Sequence, residues 1–304
     1  MRTMIFCACT DLGVNIDGAS LGPIQIMNDL KTFYQGESLL FEQNKDIIKS
    51  RNLSDRRKNE YEIDNFNSNL YKNIIEKIKE EYFPIMIGGD HSASIASALA
   101  SAKANIDIGC IWIDSHATYS TFSTTVTGNI HDLALATING YENQDLRHYH
   151  NGKVIQAAKT VVIGARNIDD KEKDNLRYSG VTVFTTKDIK EKGIDTIMDE
   201  AFKIAGYKTK GIHISYDLDI IDPDISPGVS IPEFDGISEE EAMSINEYII
   251  KHIKDVLSFD LVEFNPLRDV NRKTEQIALN ILAQFIKAAE NKKKFDDIKN
   301  YDNY

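Results

Sequence analysis

An acid and an imidazole two residues apart at the end of an apolar run make half of a metal site. Asp114 and His116 stand so in CIWIDSHATYS, residues 110–120. A second such place is PIMIGGDHSAS, where two glycines allow a sharp turn before Asp90 and His91 as a helix begins. A third is HISYDLDIIDPD, where Asp217 and Asp219 stand two apart and so point the same way from an extended segment. Singly, each has a plainer explanation: a helix cap for the glycine turn, a common pattern for Asp-x-His, turn chemistry for Asp-x-Asp before Asp-Pro. Together, at three strand ends, His91, Asp114, His116, Asp217 and Asp219 form a donor set suited to a borderline-hard divalent ion such as Mn²⁺.

These residues meet only if strands carry them to one edge. Apolar runs rich in Ile and Val cover 4–9, 84–87, 108–114, 161–165, 181–185, 211–219 and 256–264. They are continuous rather than alternating, which is the pattern of parallel strands buried on both faces. Helical segments lie between them. NLYKNIIEKIKEEY places Leu70, Ile74, Ile75 and Ile78 on one face. SEEEAMSINEYIIKHIK opens with Ser238 and Glu241, a capping box. TEQIALNILAQFIKAAE carries Ile277, Ile281 and Phe285 on one stripe. Such alternation predicts one doubly wound α/β domain over 1–304, with ligands beyond the carboxyl ends of the strands. Residues 40–62 are polar and read as an excursion or loop, and 291–304 as a charged tail at the surface or an oligomer contact.

The chain has 304 residues, 42% of them hydrophobic, and a net charge of -12. That excess of acid argues against nucleic acid or an anionic membrane as a main partner. Every apolar run falls short of the ~20 residues a membrane span needs. The apolar N-terminus breaks at Thr10-Asp11, too early for a secretion signal. Cys7, Cys9 and Cys110 all lie in apolar runs and fit buried thiols in a reducing cytoplasm.

The chain resembles the ureohydrolase family, and arginases most closely. The resemblance runs through DGASLGP (17–23), FPIMIGGDHS, IWIDSHATYS, TGNIHDLALA, VVIGARNIDDKE, GIHISYDLDIIDPDISPGVSIP, DLVEFNP and NRKT, and spans nearly the whole length. It implies a three-layer α/β/α sandwich around a mainly parallel eight-stranded sheet. It implies two Mn²⁺ ions, whose shared hydroxide attacks the carbon of a small guanidino substrate to release urea and an amine. It also implies a homo-oligomer, a trimer or hexamer. Position by position, Asp114 and Asp217 match bridging carboxylates. His91 matches a ligand of the first ion, and His116 and Asp219 match ligands of the second. His131 matches a solvent-facing proton shuttle, a task suited to a neutral imidazole. Glu263 matches the acid beside the bound guanidinium. Asp169 matches a residue that holds the substrate's amino group, while Thr127 and Ser120 match positions at its carboxylate.

Four positions depart from the family's wording. Thr118 replaces an Asp that would bind the first ion and carry a proton. Ile231 replaces a Thr, Ser120 an Asn, and Asp132 a Gly. The resemblance therefore leaves three readings open: an arginase-like enzyme with a weak first metal site, a non-catalytic homologue that binds metal or regulates an active relative, and an agmatinase or formiminoglutamase type of hydrolase.

Overall fold

In the first strand, Arg2–Cys9 (β1), every residue after Arg2 is buried. Ile5, Cys7 and Cys9 enter one apolar cluster, while Met4, Phe6 and Ala8 enter another on the opposite face. A side-chain period of two thus sends one uninterrupted apolar run into two cores.

The computed structural model describes residues 1–52 and 54–292. The other strands are Glu37–Glu42 (β2), Tyr82–Gly88 (β3), Gly109–Ile113 (β4), Thr160–Ala165 (β5), Thr182–Thr185 (β6), Ile212–Asp217 (β7) and Val256–Val262 (β8). They form one eight-stranded sheet in the order β2-β1-β3-β8-β7-β4-β5-β6. All neighbouring strands pair in parallel.

Nine helices pack against the sheet among the described residues: Gly22–Leu30 (α1), Glu60–Lys79 (α2), Ser94–Asn105 (α3), Ala134–Ile138 (α4), Asp170–Ser179 (α5), Thr186–Lys192 (α6), Ile194–Gly206 (α7), Glu239–Lys251 (α8) and Lys273–Glu290 (α9). Helices α1, α7, α8 and α9 build one core, and α2, α3 and α4 the other. This is the expected three-layer sandwich. The Ser238–Glu241 capping box opens α8. Ile277, Ile281 and Phe285 are buried along α9. Cys7, Cys9 and Cys110 are buried free thiols. No helix among the described residues is long and apolar enough to cross a membrane.

Two expectations shift. The polar stretch 40–62 is not all loop, because residues 40–42 end β2 and 60–62 open α2. Strand β2 lies at the sheet's edge and only Phe41 of it is buried. Its charged ends, Glu37 and Glu42, suit an edge and hide it from an apolar-run criterion. The tail expected at 291–304 lies, from residue 293 onward, outside the described residues.

One stretch of interior is polar. Residues His213 and Ser215 of β7, and Ser258 and Asp260 of β8, face Ser94, Ser97 and Ser101 on α3. Ser97 Oγ donates to Asp260 Oδ1 at 2.6 Å, and Ser258 Oγ to Ser101 Oγ at 2.8 Å. Ser94 Oγ and Ser215 Oγ lie 3.1 Å apart, and His213 Nδ1 is 2.8 Å from Ser258 Oγ. All of these side chains are buried.

Candidate active site

The turns after β3, β4 and β7 carry the Asp and His residues to one edge of the sheet. After β3 the chain turns through Gly89, where a Cβ would stand 1.9 Å from Thr10 O, so only glycine allows the approach. Asp90 then caps the short turn that holds His91, accepting from Ser92 N at 2.8 Å and from Gly13 N at 3.0 Å. The three strand ends are not all neighbours. Strand β8 lies between β3 and β7, and its own end supplies Glu263.

His91 turns Nδ1 towards two acids, 3.1 Å from Asp114 Oδ2 and 3.0 Å from Asp217 Oδ2. Its Nε2 lies 2.8 Å from Ser215 Oγ, and its ring stacks on Trp112 at 4.1 Å. The Trp112 indole in turn donates to Asp114 Oδ2 at 3.0 Å. His116 repeats the arrangement, with Nδ1 2.9 Å from Asp219 Oδ2 and 3.4 Å from Asp114 Oδ1. Its Nε2 is 3.5 Å from Glu233 Oε1. Two clusters result, His91–Asp114–Asp217 and Asp114–His116–Asp219, joined by Asp114. Asp217 matched a bridging position, but it belongs only to the first cluster. Its Oδ1 accepts from Asp219 N at 2.8 Å, which holds the turn after β7.

Burial sets the electrostatics. It pushes the Asp217 and Asp219 carboxyls up, and neighbouring acids add to this. Burial alone would lower His91, but its bonds to Asp114 and Asp217 outweigh that and raise it to about 10. Burial would likewise raise Asp114, yet the two imidazoles hold it well below the usual carboxylate range. Protons here offset crowded acids, a role that divalent cations can also fill. The buried His91 Nδ1 lies within 3.1 Å of two carboxylates at once, a crowding of acids that a cation would relieve. Oxygen and imidazole donors so placed fit a divalent ion such as Mn²⁺.

Glu263 sits behind the first cluster in a left-handed backbone conformation (φ 70°), and its N–H donates to Gly89 O at 2.7 Å. Its Oε1 accepts from His91 N at 2.9 Å and lies 3.4 Å from His131 Nδ1, while buried Oε2 has no partner. His131 is only 4% exposed, so it does not face solvent as expected. Its Nε2 is 3.1 Å from Asp132 Oδ1. Burial lowers its affinity for a proton, but Asp132 and Glu263 outweigh this and raise it to about 9. It therefore holds its proton at neutral pH.

A cavity of about 220 Å³ opens beside His116 and gathers Thr118, Ser120, Thr127 and Asp169. Thr127 Oγ1 donates to Asp132 Oδ2 at 2.6 Å. Ser120 N donates to Asp132 O at 3.1 Å. Asp169 starts α5 with its side chain free of the cap. Thr118 is buried, has a positive φ (49°), and its Oγ1 has no hydrogen-bond partner. Its carbonyl accepts from Leu135 N and Ala136 N, at 3.1 and 3.3 Å.

Sequence reasoning missed several residues here. Glu172 lines the cavity and accepts from Tyr119 N at 2.6 Å. Its place three residues after Asp169, in the first turn of a helix, was an available signal. Trp112 shares a face with Asp114 by period two, which was also readable. Glu233 and Asn167 had no such pattern. Asn167 Nδ2 donates to Glu233 Oε1 at 2.7 Å. Arg166 fixes their loop by donating to the carbonyls of Asp219, Ile220, Glu233 and Phe234.

Comparison with known proteins gives a consistent picture. A family model described as the arginase family matches residues 1–287. The arginase of Bacillus subtilis (strain 168) is 32% identical over 236 residues, 75% of this chain and 79% of that one. The arginase of Brevibacillus brevis is 35% identical over 204 residues, 66% of this chain and 67% of that one. Among solved structures, a Bacillus subtilis arginase superposes with a TM-score of 0.82 at 28% identity, covering 97% of this chain and 100% of that one. An Entamoeba histolytica arginase in complex with L-ornithine has a TM-score of 0.84 at 25% identity, covering 94% and 99%.

Proposed function

The chain belongs to the arginase family and is an arginase-like hydrolase; from that premise we propose that it is a Mn²⁺-dependent enzyme cleaving a small guanidino compound to urea and an amine. The reading rests above all on the two Asp/His clusters that share Asp114 at the edge of the cavity. His91, Asp114 and Asp217 would hold one ion, and Asp114, His116 and Asp219 the other. When bound, the metal supplies Lewis acidity and lowers the pKa of water at neutral pH.

The remaining steps belong to side chains. Glu263 Oε2, buried and unpartnered, is placed to receive a guanidinium N–H. His131 holds a proton at neutral pH and gives it to the departing amine. Asp169 takes the amine at the substrate's far end. We assign residues 1–304 to one arginase-like domain, of which 291–304 are a charged C-terminal tail in the sequence. The protein acts in the cytoplasm as a homo-oligomer, with no nucleic acid or membrane partner.

A second reading, a metal-binding but non-catalytic homologue, is favoured by one observation: Thr118 places a neutral hydroxyl where the family has an acid. Urea release by Mn²⁺-loaded protein from a panel of guanidines, with metal counted per chain, separates the two. Urea from any guanidine supports the enzyme. Bound metal with no urea from any of them supports the homologue.

A further inference from the structure

The cavity beside His116 has no lysine or arginine in its lining, but it has three carboxylates, those of Asp132, Asp169 and Glu172. The neutral donors at its wall are largely committed. Thr127 Oγ1 accepts from Asn129 N at 3.0 Å and directs its one proton to Asp132 Oδ2 at 2.6 Å. Asn167 spends an amide N–H on Glu233 Oε1. An anion arriving here would meet a hydroxyl already used, Asp132 on the wall with its Oδ1 3.1 Å from His131 Nε2, and Asp169 at the mouth. We propose that Asp132 acts as a built-in carboxylate that excludes a substrate carboxylate, so that the cavity selects a guanidine bearing a second cationic group and no acid. The proposal rests on the reading of this cavity as the substrate site.

Three further observations agree. Burial pushes the Glu172 carboxyl up to about 8, with Asp132 and Asp169 adding to the rise, so the negative field of those two acids is felt inside the cavity. Asp169 makes no ion pair with the described residues and is exposed at the mouth, open to an ammonium. Thr118 Oγ1, buried and without a hydrogen-bond partner, lines the same cavity and marks it as a place still short of polar contacts. The specificity is therefore carried by one residue beside the site rather than by the residues that would hold metal.

The test uses two ligands that differ by a single carboxylate, 1,4-diaminobutane and L-ornithine. Each is titrated calorimetrically into the Mn²⁺-loaded full chain. The diamine should bind at least about 10-fold tighter, since setting like charges against each other costs more than the ~1.4 kcal/mol a factor of ten represents. Asp132→Asn keeps the size and an acceptor for Thr127 but removes the charge, and should narrow the preference several-fold, mainly by improving ornithine. Equal binding of both ligands by the unaltered chain overturns the inference, and this comparison needs no variant to fold. An unchanged preference in a folded Asp132→Asn chain overturns the role of Asp132. Binding of neither ligand overturns the inference and the substrate site together. Urea release from arginine with no ligand preference would leave the proposed hydrolase standing while this inference fails.

Discussion

Trp112 Nε1 donates to Asp114 Oδ2 at 3.0 Å while its ring lies against His91 at 4.1 Å. One side chain therefore orients both the shared carboxylate and an imidazole of the first cluster. Groups that orient metal ligands from behind change metal affinity by ~10–100-fold when lost. Trp112→Phe keeps an aromatic ring beside His91 and removes the N–H, together with part of the buried indole surface. Mn²⁺ affinity measured by calorimetry should fall within that range, with the far-ultraviolet circular dichroism unchanged. Unchanged affinity would show that the indole only packs.

Thr118 is a β-branched residue in a left-handed conformation, where Asp is better tolerated. Thr118→Asp should therefore ease the backbone while adding an oxygen donor at the cavity wall. Mn²⁺ titration should show a stronger weak event than in the parent chain. The rise in Tm on adding Mn²⁺ should also be larger, because a ligand that binds only the folded state stabilises it. Little activity is expected to return, since Ile231, Ser120 and Asp132 also differ. A Tm response to Mn²⁺ equal to the parent's would place Thr118 outside the metal's reach.

Glu172 sets a pH dependence whose sign can be worked out. Burial raises its folded pKa to about 8, while its ordinary value is 4.5. Below 4.5 both states keep the proton and the group contributes no difference. Between 4.5 and 8 only the unfolded chain releases it, so stability falls as pH rises through this window. Glu172→Gln removes the titration and can still accept from Tyr119 N. Denaturant midpoints measured from pH 5 to 8 should fall less steeply in the variant. Parallel curves would mean that Glu172 ionises normally.

The capping box at Ser238 offers a test away from the site. Its Oγ accepts from Glu241 N at 3.1 Å, and Glu241 accepts from Ser238 N at 2.8 Å. Ser238→Ala should cost about 1 kcal/mol. Mn²⁺ affinity should be untouched, because α8 packs in the core opposite α3. A change in both would mean that helix capping and site geometry are coupled.

The sequence made the buried strands readable because their apolar runs are continuous. It left β2 unseen, since an exposed edge strand has a polar composition like a loop's. Asp114, His116, Asp217 and Asp219 were legible as pairs at strand ends, but Asp219 lies in a short 3-10 turn after β7 and not on the extended segment that period two assumes, so it joins a different cluster from Asp217. Asp217's membership of one cluster alone was not legible, because it depends on which oxygen a turn N–H engages. His131 was expected to face solvent and is buried instead. Its Nε2 lies 3.1 Å from Asp132 Oδ1, a contact between neighbours whose geometry no spacing rule encodes. Glu233 reaches His116 from an irregular loop held by Arg166, and irregular backbone has no period to read.

The serine stripe on α3 has a consequence for tolerance. Apolar surfaces accept small sliding at little cost, but hydrogen bonds are directional and lose strength when misaligned. Ser94, Ser97 and Ser101 each meet a defined partner on β7 or β8, so α3 can dock on the sheet at only one height. The segment that ends in α3 begins at His91, whose Nε2 is bonded to the same Ser215 that Ser94 meets. The helix therefore works as a keyed shim: its position along the strands sets the elevation of the imidazole. Repacking that seam with aliphatic side chains would keep the volume and discard the gauge.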